Sequence, residues 1–174
     1  MNTLEILRVT KDCDDWDKLI CFAENCSWEA AGVHLAEMMK KDLFIDWESV
    51  FCAKQNGQII GFCTFLKTDY YPENRYSPWI SSMFVDEDFR GNRISRQLIE
   101  CAAGYAKEVG FTRVYIPSGI TGLYEKYGFQ KIDVLINYGG DTDNIFMRNC
   151  QKQCIGYLLS LSFHWNFYKK LKQL

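Results

Sequence analysis

Seven residues, Ile94, Leu98, Ile99, Ala102, Tyr105, Ala106 and Val109, recur at helical spacing and mark one apolar face. A strand-like run, Trp79 to Val85, comes before them, and Gly91 falls in the short link between the two. Gly110 stops the helix, and the β-rich run Thr112 to Ile116 follows, ended by Pro117. A strand, a tight turn, a long amphipathic helix and a second strand need a sheet for the helix to cover. This one block therefore excludes all-α and all-β folds.

The flanking pattern completes the layout. Leu4 to Val9 reads as a strand, Asp15 to Cys26 as a short helix, and Trp28 to about Lys41 as a second helix with Ser27 as N-cap. Val50 to Ala53 and Gln58 to Lys67 are strands joined at Asn56-Gly57, a two-residue hairpin signal. Residues 70–78 form a loop rich in Tyr, Pro and Asn. Thr121 to Tyr127 reads as a short helix capped by Gly128, and Phe129 to Asn137 and Asn144 to Arg148 as two strands around Gly139-Gly140-Asp141. The fold class expected is α/β (α+β): one central, mixed and mostly antiparallel sheet flanked by helices.

At 174 residues the chain suits one domain, here residues 1–149, with a C-terminal extension over residues 150–174. In that extension Tyr157, Leu159, Leu161, Phe163, Trp165 and Phe167 alternate with polar residues. Period two favours a strand that pairs with its own sheet or with a second chain as a homodimer. A helix folded back on the domain is the alternative.

The net charge of -2 argues against a general nucleic-acid binder, yet it hides an asymmetry. Residues 1–50 hold eleven acids and five bases, whereas residues 144–174 hold five bases and no acid. Met1 to Asp17 has no apolar core of signal-peptide length, and no run of about 18 apolar residues would span a membrane. Eight cysteines without a Cys-x-x-Cys pair, and two distant histidines, give no metal-ligand spacing. The expectation is a cytoplasmic protein with reduced thiols, no metal, no nucleic acid and no membrane.

Two segments carry chemistry. Arg90-Gly91-Asn92-Arg93-Ile94-Ser95-Arg96 opens the long helix, where unpaired amides and the positive end of the helix dipole suit a pyrophosphate. Leu123-Tyr124-Glu125-Lys126-Tyr127-Gly128-Phe129 places a tyrosine just before a strand. In this order and spacing the two segments resemble the GNAT superfamily of N-acetyltransferases, over roughly residues 1–149. The first resembles that family's pyrophosphate loop, Arg/Gln-x-x-Gly-x-Gly/Ala. Arg93 stands where the first glycine is usual and Ser95 where the small residue is usual.

The resemblance implies acetyl-CoA as cosubstrate, bound between Trp79–Val85 and Thr112–Ile116. It implies that backbone groups of Met83, Phe84 and Val85 hold the pantetheine arm and polarise the acetyl carbonyl. The loop Arg90, Gly91, Asn92, Arg93, Ile94, Ser95 and Arg96 would hold the phosphates, and Tyr124 would be the general acid. The acceptor would be an amine of a small molecule or peptide. A wall of Asp12, Asp14, Asp15, Asp17, Glu24, Glu29 and Glu37 favours a cationic one. Trp16, Trp28, Tyr70, Tyr71 and Trp79 are candidates for flat contacts with it. Asp46, Glu48, Asp69 and Glu73 are candidate bases, none singled out. An acyl-CoA-binding sensor without turnover is the alternative function, because Arg93 replaces the glycine.

Overall fold

A computed structural model describes residues 3–150. The alternating tail, with its strand-or-helix question, lies outside the described residues. The elements are β1 (Leu4–Val9), α1 (Trp16–Glu24), α2 (Glu29–Lys40), β2 (Ser49–Gln55), β3 (Gln58–Leu66), β4 (Trp79–Val85), α3 (Ile94–Glu108), β5 (Arg113–Ser118), β6 (Gln130–Ile136) and β7 (Thr142–Asn149). Seven strands form one sheet in the order β1-β2-β3-β4-β5-β7-β6. The β4–β5 pair alone is parallel; the others are antiparallel. The mixed, mostly antiparallel sheet expected from the sequence is the one observed.

Strand alternation sorts the apolar side chains into two cores. Phe51 and Ala53 of β2 pack with Leu98, Ile99 and Ala102 of α3 on one face. Val50 and Cys52, their neighbours, pack with Leu19, Ala23, Leu35 and Met39 of α1 and α2 on the other. The middle strands are therefore covered on both sides, which explains why β3 reads as a nearly continuous apolar run. Two ion pairs bind the outer parts to this frame. Partly buried Lys54 meets buried Asp15 at 2.6 Å, and its bond holds the Asp15 carboxyl below the usual carboxylate range. Arg148 of β7 grips Glu100 of α3 with two bonds of 2.7 and 3.0 Å.

Local signals placed most elements well. Asn56 and Gly57 both adopt positive φ, as a tight hairpin turn demands. Three expectations change. Ser27 is not the N-cap of α2: Trp28 occupies that position, and the Ser27 hydroxyl donates to Glu87 instead. Thr121 to Tyr127 is not a helix, because Gly122 takes φ +80° and breaks the run; only a 3₁₀ turn, Glu125–Tyr127, forms. Pro117 does not end β5 but lies within it, opposite Ile145 of β7. The Tyr115 amide, two residues earlier, donates toward β4, at Pro78 O. By alternation the Pro117 nitrogen faces the same way, where no strand pairs with it, so the missing N–H costs no ladder bond.

The α1–α2 contact depends on Gly32. A Cβ built there would stand 2.0 Å from Ala23 O and 2.5 Å from Cys26 Sγ. Gly32→Ala is expected to lower stability by about 1–3 kcal/mol through overpacking. Urea unfolding measures this as a lower midpoint at unchanged slope.

Candidate active site

The sheet opens at its centre. β4 and β5 are in register only at Trp79–Tyr115, and beyond that pair they separate. β4 also carries one residue more than β3 between Phe84 and Ser81, and Ser82 there adopts φ +47°. That bulge turns the strand away from a regular ladder. The Asp86 amide donates to Ile60 O on the β3 side. The Val85 amide, one residue earlier, therefore points to the other edge, into the gap. The Val85 carbonyl points there too and accepts from Arg90 Nε at 2.9 Å.

From β4 the chain enters a 3₁₀ turn, Glu87–Phe89, started by Asp86, whose side chain accepts from the Asp88 amide. Gly91 then takes φ +82°, and a Cβ there would meet nothing within 4 Å, so the backbone lies open to a ligand. Arg93 is the N-cap of α3, in the left-handed region at φ +58°, ψ +26°. This conformation explains why glycine is usual at this position. The first helical bond runs from Gln97 N to Arg93 O. The amides of Arg93, Ile94, Ser95 and Arg96 thus lack helical partners, and no acid stands in the first turn to compete for them. Their side chains differ in availability. Arg90 is spent on Val85 O and on Glu87 Oε1 at 2.6 Å, Asn92 on Phe89 O at 3.0 Å. Ile94 is buried in the α3 core. Arg93 and Arg96 are exposed, with Arg96 over the Tyr127 ring. Ser95 Oγ lies 3.4 Å from Tyr127 Oη.

Tyr124 sits just before the 3₁₀ turn and is only 6% exposed. Its ring touches Phe146 of β7 at 5.5 Å, and Phe129 and Tyr127. Burial pushes its hydroxyl pKa up, with Ser118 at the end of β5 opposing the rise. It is therefore protonated at neutral pH. Met83 is partly buried on β4 and Phe84 buried against α1 and α2. The donor set suits a nucleotide thioester: four amides without helical partners and two exposed guanidinium groups for phosphates, then a backbone edge facing the β4–β5 gap.

Several sequence candidates leave the site. Trp16, Tyr71 and Trp79 are core residues, and Tyr71 stacks on Trp79 at 5.6 Å. Trp28 and Tyr70 stay exposed, at 48% and 60%. Three of the seven acids of the wall are neutralised, with Glu24 paired to Lys40, Glu37 to Lys41 and Asp15 to Lys54. Glu48 braces the backbone by accepting from Ile45 N and Lys67 N. Asp69 is different: it is partly buried against β4, where Ser81 Oγ donates to it. No spacing in the sequence joins Asp69 to Ser81; only the β3–β4 pairing does.

A model of the acetyltransferase (GNAT) family matches residues 14–129. The chain belongs to the GNAT family. Among curated relatives, the uncharacterized N-acetyltransferase YhbS of Escherichia coli (strain K12) is 28% identical over 100 residues, 58% of this chain and 59% of its own length. N-acetyltransferase family 8 member 2 of Rattus norvegicus is 27% identical over 88 residues, 48% of this chain and 39% of its own. The GNAT chain thus matches well under two-thirds of each relative. Two solved structures share the fold. The Escherichia coli YhbS complex with CoA has a TM-score of 0.67 at 21% identity, covering 87% of this chain and 83% of that one. An aminoglycoside 6'-N-acetyltransferase complexed with coenzyme A has a TM-score of 0.65 at 15% identity, covering 84% and 97%. Among the described residues of this GNAT chain, no helix is long and apolar enough to cross a membrane, and no cluster of metal-ligating side chains occurs.

The left-handed Arg93 generates a prediction. Alanine and arginine both strain this backbone and glycine does not, so Arg93→Gly should be more stable than Arg93→Ala by about 1 kcal/mol. Equal unfolding midpoints for the two variants would mean that the residue is not left-handed in solution.

Proposed function

We propose that this protein transfers the acetyl group of acetyl-CoA directly to a primary amine of a cationic small molecule or peptide. The observation that carries the reading is the opened β4–β5 pair, with the orphan amides at the start of α3 lying directly after it in the chain. Gly91 and the amides of Arg93, Ile94, Ser95 and Arg96, with the Arg93 and Arg96 guanidinium groups, hold the pyrophosphate. Arg90 does not bind phosphate in this scheme; it pins the loop to Val85. The backbone edge Met83–Val85 holds the pantetheine arm. Its free amide, that of Val85, stabilises the negative charge developing on the thioester oxygen, a contribution of about 3–4 kcal/mol for one such donor.

Tyr124 donates the proton that the departing thiolate needs, with its hydroxyl kept protonated by burial. Burial also makes it the end of the site that excludes water. A cationic acceptor is favoured by the carboxylates Asp69 and Asp143 on the face opposite α3, which make no ion pair among the described residues, whereas Glu24 and Glu37 of α1 and α2 are paired with lysines. On sequence alone, the row Tyr157 to Phe167 carries the further proposal of a homodimer.

CoA release from acetyl-CoA is the test, run over polyamines, aminoglycosides, amino acids and lysine peptides. Turnover with at least one amine is expected, and Tyr124→Phe should cut kcat by about 100-fold with acetyl-CoA affinity unchanged. Saturable acetyl-CoA binding with no CoA release from any amine would favour the sensor instead. Unchanged turnover in Tyr124→Phe would remove Tyr124 as the acid.

A further inference from the structure

Asp69 lies in the loop after β3 and is held from several sides. Its amide donates to Asn74 Oδ1 at 2.8 Å, and its carboxylate accepts from the Tyr70 amide at 2.7 Å and from Ser81 Oγ. The loop is itself docked on the far half of the sheet. Tyr71 Oη donates to Asp143 Oδ2 at 2.9 Å, and the Tyr138 amide donates to Tyr70 O at 3.2 Å. A carboxylate so fixed has one geometry, and Ser81, which grips it, immediately precedes the bulged Ser82 of β4. Along the strand, Ser81 stands about 7 Å from Met83, where the cleft edge begins.

A second observation falls at the same place. Thr64 of β3 lies directly opposite Ser81 in the ladder, so the two side chains share a face about 5 Å apart. Thr64 is 1% exposed, and its Oγ1 has no partner. Leaving a buried hydroxyl unsatisfied is costly, and such groups commonly hold an ordered water. Trp79 Nε1, two residues before Ser81 on β4, is unpartnered as well. Thr64 Oγ1 is thus an orphan hydroxyl on the face it shares with Ser81, the residue that grips the Asp69 carboxylate one position before the bulge.

We propose that Asp69 is the base that takes the proton of the acceptor ammonium, with Ser81 as its positioning residue and a water on Thr64 Oγ1 as the relay. This rests on the acetyl-transfer reading and names its missing base. An N–H bond of the ammonium breaks and its electron pair stays on nitrogen. The proton passes to the water, which gives one of its own to the Asp69 carboxylate. The neutral amine is then able to attack the thioester carbonyl. Burial raises the Asp69 pKa, Asp143 of β7 raises it further, and Ser81, the Tyr70 amide and His34 of α2 oppose the rise. A raised value suits a base that must accept a proton near neutral pH.

The test separates this from the reading beneath it. CoA release by the wild-type protein over the amine panel tests acetyl transfer. With the best acceptor, Asp69→Asn should lower kcat/KM about 100-fold and abolish the acid limb of its pH profile, while acetyl-CoA affinity stays constant. Ser81→Ala removes a bond that favours the charged form, so the limb should move to higher pH. Thr64→Val should lower kcat at least fivefold, with an unfolding midpoint unchanged or raised. A wild-type profile in Asp69→Asn would overturn the base, and full activity in Thr64→Val would overturn the relay. If no amine is acetylated, the Asp69 carboxyl carbon still reports by NMR. Titration above ordinary aspartate, moved higher by Ser81→Ala, supports the seat, and titration at or below it overturns the proposal.

Discussion

The separation of β4 from β5 is the constraint on which everything else depends. Two parallel strands inside a continuous sheet would normally pair along their whole length. Here they share one aligned pair, Trp79–Tyr115, and the gap survives because each strand is held elsewhere. β4 is laddered to β3 and β5 to β7, and the cores under α3 and under α1–α2 cover the sheet from both faces. Two local features keep the gap from closing. The bulge at Ser82 spoils the register of β4, and Pro117 has no hydrogen to offer from β5. The free edge that results is followed in the chain by the start of α3, so the gap and the orphan amides of the helix adjoin.

The loop between β4 and α3 shows how charge is divided between structure and ligand. Arg90, the most recognisable residue of the motif, is internally committed to Val85 O and Glu87, and Ser27 joins the same carboxylate. That small network ties the α1–α2 connection to the loop. Arg93 and Arg96 are exposed and make no ion pair among the described residues, and they are the residues whose removal should act on binding rather than on fold.

What the sequence made legible was local. The apolar stripe of α3, the Asn56–Gly57 turn and the run Trp79–Val85 each follow from neighbours a few residues apart, and the structure has them as expected. Misplaced features were settled from afar or by one torsion angle. Ser27 looked like a cap but is captured by Glu87, 60 residues on. Gly122 looked compatible with a helix until its φ of +80°. Three of the seven acids that read as one negative wall, Asp15, Glu24 and Glu37, are paired with lysines from other elements or other turns. Asp69 was one of four equal carboxylates, and only the register that sets Thr64 opposite Ser81 distinguishes it.

The central claim is that the open β4 edge and the first turn of α3 form one acetyl-CoA site. Backbone amide NMR during titration with acetyl-CoA tests it most directly. The account predicts saturable shifts at Val85, Gly91 and Arg93 to Arg96, with the amides of β1 and β2 unmoved. Saturable binding that leaves those amides in place and shifts others would contradict it.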